Sequence, residues 1–92
     1  MQPVRFDANQ ANQCLTKLAM LTNIQDSFFD QYLIKGEKAK IVCIPAFKSA
    51  IYELKSFDQK QIDNLANFLD KNENGLITVD NFMLEIKKNT NK

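Results

Sequence analysis

The stretch DKNENGLITVDNF, residues 70–82, decides how the rest of this chain is read. Asp70, Asn72 and Asn74 place side-chain oxygens at every second position. Gly75 follows, where a chain curling around a centre needs a sharp turn and a positive φ, a conformation glycine adopts without a Cβ penalty. Oxygen donors in this alternation are what a hard cation prefers. Both flanks are amphipathic at helical spacing. Ile62, Leu65, Ala66, Phe68 and Leu69 mark a helix entering the loop, and Val79, Phe82, Met83 and Ile86 mark one leaving it.

Outward from the loop, the apolar pattern stays helical almost throughout. "SFDQ" at 56–59 offers a capping box, or Asp58 serves as the N-cap of the entering helix. Before it, Pro45 suits the first turn of a helix carrying Phe47, Ala50, Ile51 and Leu54. Ile41-Val42-Cys43 reads as a short β-like segment after the loop-like run of Gly36 and its lysines. A helix over about 24–34 carries Ile24, Phe28, Phe29, Tyr32 and Leu33, with Thr22 and Gln25 at capping-box spacing. The first helix, 7–22, starts after Asp7, a good cap, and its face is Ala8, Ala11, Leu15 and Leu18, with Ala19 or Leu21. Residues 89–92 read as a frayed polar tail.

The chain also matches itself. A shift of 35 residues carries Leu33 onto Phe68, Ile34 onto Leu69, Val42 onto Ile77, Phe47 onto Phe82 and Ile51 onto Ile86. The order helix–loop–β–helix therefore repeats in register.

Composition narrows the function. Ninety-two residues make one small domain, 1–92. Net charge is +1 with no large charged block, which gives nucleic-acid or membrane-surface binding no electrostatic support. No apolar run approaches the ~20 residues of a membrane span, and the N-terminus lacks the apolar region of a secretory signal. The chain has no histidine, which removes imidazole bases and most transition-metal sites. No Gly-rich phosphate loop or nucleophile elbow is present, so the reading is non-enzymatic. Cys14 and Cys43 are far apart in sequence and read as reduced thiols.

Residues 59–88 resemble an EF-hand: helix, cation loop of 70–81, helix. The resemblance implies an all-α fold, an EF-hand pair with two loops joined by a short β-bridge and an additional N-terminal helix. The units would be a degenerate hand over 24–54 and an EF-hand-like one over 57–88, with Val42 facing Ile77 across the bridge. It implies metal ligands at Asp70, Asn72, Asn74, Leu76 through its carbonyl, Thr78 and Asn81. The family normally closes the loop with a bidentate Glu. Asn81 stands there instead, and Asn occupies the third and fifth positions, leaving one formal negative charge on Asp70. A Kd weaker than roughly 10⁻⁴ M is expected, outside the sensor range. The first loop, Lys35 to Ala46, offers only Glu37 among several lysines, and no metal is expected there.

The closest likeness is to calmodulin-like and myosin-light-chain-like lobes. It implies no cofactor at resting calcium, with at most one weakly bound Ca2+. It implies a cytoplasmic, in the light-chain case cytoskeletal, protein that binds an amphipathic helix of a larger partner in a multi-subunit assembly. Phe47, Ile51, Phe82, Met83 and Ile86 are the expected partner groove. Seven phenylalanines against few methionines favour one dedicated partner over many. The alternative is a weak calcium-binding sensor or regulator that uses loop 70–81 alone.

Overall fold

The computed structural model describes residues 6–21 and 26–90. Among these, the chain forms four α-helices, one 3-10 helix and a two-stranded antiparallel sheet. Helix α1 spans Ala8–Leu21 and is followed by the 3-10 helix Asp26–Tyr32. Strand β1 is Ile41–Cys43 and runs directly into α2, Ile44–Tyr52. Helix α3 is Gln59–Leu69, strand β2 is Leu76–Thr78, and α4 is Val79–Thr90. No described helix is long and apolar enough to cross a membrane.

The 35-residue shift carries β1 onto β2 and the start of α2 onto the start of α4. The strands pair antiparallel, Val42 opposite Ile77 at the centre, Ile41 opposite Thr78 and Cys43 opposite Leu76. The Val79 N–H donates to the Lys40 carbonyl (2.9 Å) and the Ile44 N–H to the Gly75 carbonyl (3.0 Å), so each strand's exit is tied to the other strand's entry. Val42 and Ile77 are both buried. Three residues per strand are too few to stand alone. The bridge persists because its inward side chains belong to the core.

That core is aromatic at its centre. Phe29, Phe47 and Phe82 meet pairwise with ring centroids 5.0–5.7 Å apart, two of the three contacts edge-on. Such pairs contribute about 0.5–1.5 kcal/mol each beyond area burial. Helix α1 packs against α3 and α4 and sends Ala11, Cys14, Leu15 and Leu18 into the same cluster. Polar ties fix it there. The Asp7 N–H donates to the Asn64 Oδ1 (2.6 Å) and the Asn64 Nδ2 to the Asp7 carbonyl (2.9 Å). Lys17 Nζ donates to the Ser56 carbonyl at 2.8 Å.

The caps follow the sequence. Asp7 Oδ1 accepts from the Asn9 and Gln10 N–H groups, opening α1. Of the two caps open for α3, the structure uses Asp58, with Gln61 completing a reciprocal box. Proline lies in the first turn of α2.

Four expectations need correction. The α-helix expected over 24–34 is a 3-10 helix, Asp26–Tyr32. Its sequence, DSFFDQY, holds almost only weak helix formers, and Asp and Ser compete for backbone hydrogen bonds. Leu54 lies beyond α2, which ends at Tyr52; the chain then turns through Lys55 at φ 56°. Ala8 and Leu21, candidates for the inner face of α1, are exposed, whereas Ala19 packs against the core. Residues 89 and 90, expected in a frayed tail, complete α4. Asn89 Nδ2 donates to the Asn12 Oδ1 (3.2 Å) and to the Glu85 carbonyl (2.9 Å), anchoring that last turn on α1. The Thr22–Gln25 capping box, Ile24 and the tail residues 91–92 lie outside the described residues.

Candidate functional site: the 70–81 loop

Asp70 leaves helical geometry at the end of α3 while its N–H still bonds the Ala66 carbonyl. Its side chain is buried, with the residue 3% exposed. A buried carboxylate requires donors. Asp70 Oδ1 accepts from the Asn74 N–H (3.2 Å) and Oδ2 from the Gly75 N–H (3.0 Å). The Glu73 N–H donates to the Asp70 carbonyl (3.2 Å). The loop thus curls around Asp70, and the curl needs positive φ at Glu73 (55°) and Gly75 (79°).

Past the curl, Asn74 Oδ1 accepts from the Leu76 N–H at 3.1 Å, an Asx turn that launches β2. Asn72 is exposed, and the half-buried Leu76 stands in the strand. Thr78 Oγ1 accepts from the Asn81 N–H (3.3 Å) and so caps α4. Asn81 reaches back across the loop, its Nδ2 donating to the Leu69 carbonyl at 3.4 Å. The structure therefore gathers Asp70 and Asn81 at the base of the loop, whereas Asn72 and Asn74 lie at its exposed rim.

Calcium takes six to eight oxygens, several of them charged, in a cage whose charge sets affinity. At its ligand positions this loop supplies one carboxylate, Asp70, with Glu73 and Asp80 elsewhere in it, and the residue at its closing position donates its amide N–H to the Leu69 carbonyl. The donor set does not fit a tight calcium site. Among the described residues, no group of three or more His, Cys, Asp or Glu is arranged to hold a metal ion. The first loop is built differently. The Ile34 N–H donates directly to the Ile41 carbonyl (2.9 Å) and draws its two ends together. Gly36, at φ 89°, makes its turn four positions ahead of the place Gly75 holds in the second loop. Lys40 faces Asp30 at 3.8 Å.

The expected partner groove is closed. Phe47, Ile51 and Phe82 are fully enclosed, Ile86 is buried and Met83 half-buried. The reason is packing: Phe29, Phe47 and Phe82 contact one another, and α1 supplies apolar side chains to the cluster that also holds Ile86. The apolar surface lies elsewhere, at Met20 (82% exposed), Tyr52 (62%), Leu84 and Leu21. Met20 falls off the Ala11–Leu15–Leu18 stripe, a signal by which the sequence could have found it. The ties through Asn64 and Asn89 carry no periodic signal.

Titration adds one feature. Burial pushes the Cys14 thiol above its ordinary value; nearby Lys17 opposes this and Asp58 adds to it. Cys14 and Cys43 are both free thiols. The chain matches no family model, no curated protein and no solved structure.

Proposed function

We propose that this chain is a non-catalytic, paired EF-hand-like module that binds a helical segment of a larger protein as a light-chain-like or scaffold subunit, without calcium control. The observation that carries the reading is the antiparallel pairing of Val42 with Ile77, between two loop–strand–helix units repeated at 35 residues. Such mutual completion of two short strands is how paired cation loops support each other. Both loops here hold their shape with protein donors: the Ile34–Ile41 backbone bond in one, the Asp70 curl and the Asn81–Leu69 bridge in the other.

With the bend supplied internally, an ion has little left to organise. A module whose loops do not respond to calcium presents the same surface at all calcium levels. It suits a permanent subunit that stiffens or holds a target helix, not a switch.

Two experiments test this. Titrating calcium while following the Gly75 amide by NMR gives no saturable shift below about 10 μM, within sensor territory. Saturation in that range would favour the alternative, a weak sensor using loop 70–81. Second, the chain co-purifies with its partner equally in calcium and in chelator, and a synthetic peptide of the partner's helical segment reproduces the binding. Loss of the complex in chelator would contradict the reading.

A further inference from the structure

We propose that the groove between α1 and the C-terminal half of α4 is the docking surface for an acidic amphipathic helix of the partner. The inference rests on the helix-binding reading above and assigns it a face and a charge. The groove is open and encloses about 1000 Å³. Lys17, Lys71 and Lys88 line it against a single carboxylate, Glu85. Glu85 is buried and already paired with Lys88 at 3.1 Å, so it does not cancel the other two cations. Lys71 projects over the Phe68 ring, 4.5 Å from its centroid, which fixes one positive charge at the groove's edge.

The apolar component sits on the same surface. Met20, 82% exposed, and Leu21, half exposed, line the groove at the end of α1. Methionine is unbranched and adapts its shape to an apolar partner side chain. The remaining lining is largely amide, with Asn12 and Asn89 already joined across the floor. A helix with an apolar seam on Met20 and Leu21 and a carboxylate beside Lys71 is complementary in both respects; Lys17 already donates to the Ser56 carbonyl. A basic helix would face Lys71, whose charge no carboxylate of the groove offsets. A nucleic acid would find no exposed aromatic face in the groove on which to stack a base, since Phe68 is buried.

The test uses the full chain and two synthetic peptides of roughly 18 residues, about 27 Å as helices. They share one leucine seam; one carries glutamates beside it and the other lysines. The expected result is binding of the glutamate peptide alone, shifting the amides of Met20, Leu21 and Asn89. Lys71→Glu, at an exposed position, and Met20→Ser each weaken it about tenfold, and added salt weakens it further. Binding of the lysine peptide at another face overturns this inference and leaves the helix-binding reading intact. Binding of neither peptide overturns this inference, and the reading beneath it then stands or falls on co-purification. Tighter binding of a single-stranded RNA oligomer to the same amides overturns both the face's assignment and its partner class. Binding of the glutamate peptide without induced helicity keeps the acidic partner and removes the helix.

Discussion

Asn81 decides the chemistry of its loop through one atom. Its Nδ2 donates to the Leu69 carbonyl, joining the end of α3 to the first turn of α4. Asn81→Ala removes that bridge and is expected to cost about 0.5–1.5 kcal/mol, read as a lower denaturant midpoint. Asn81→Glu combined with Asn72→Asp takes the formal charge at the loop's ligand positions from −1 to −3 and restores a bidentate closing residue. Calcium affinity should then improve by at least about tenfold, followed at the Gly75 amide. No gain would mean that the backbone cannot fold around an ion. Gly75→Ala isolates the backbone. Nothing lies within 4 Å of the added Cβ, so its expected cost of about 1–2 kcal/mol comes from φ 79° alone. The positive φ at Gly75 was legible because the turn has a fixed place in the spacing. The donor role of the Asn81 amide was not, since sequence does not say which way a side-chain amide points.

Helices and strands show which signals survive folding. The caps at Asp7 and Asp58 were readable because a side-chain oxygen meets nearby N–H groups. The 35-residue shift made Val42 and Ile77 equivalent, and the EF-hand resemblance implied that they face each other, as they do. The 3-10 helix was not readable, because aromatic periodicity in Phe28, Phe29 and Tyr32 fits an α-helix equally well over one turn. The length of α4 was missed because Asn89 depends on Asn12, far away in sequence. Helix α1 carries a second prediction, through Cys14. Its raised pKa means that the unfolded chain releases the thiol proton at lower pH than the folded one. Stability from this group is therefore present below the unfolded thiol's pKa and declines as pH rises through it towards the higher folded value. Cys14 should resist thiol reagents at neutral pH and label only at alkaline pH or on unfolding, whereas the half-buried Cys43 should label first.

Across the molecule, one apolar cluster holds every element described. Phe82 belongs to the aromatic centre and to the helix leaving the second loop, so Phe82→Ala should cost about 3–5 kcal/mol and leave a thin core close to unfolding. Calcium should do little by comparison. At 10 μM ion and a Kd of about 10⁻⁴ M, the stabilisation is only about 0.06 kcal/mol, too small to move a melting curve. The global arrangement was partly legible because apolar periodicity reports which faces are buried. It gave α1 an apolar face but did not report where on the core that face would dock. The most direct measurement is NMR of the chain in chelator, seeking cross-strand contacts between Val42 and Ile77, followed by calcium addition. The pairing should be present without the ion, and the Gly75 amide should stay in place up to micromolar calcium. Strand contacts that form only when calcium is added, saturating in the micromolar range, would contradict an ion-independent fold.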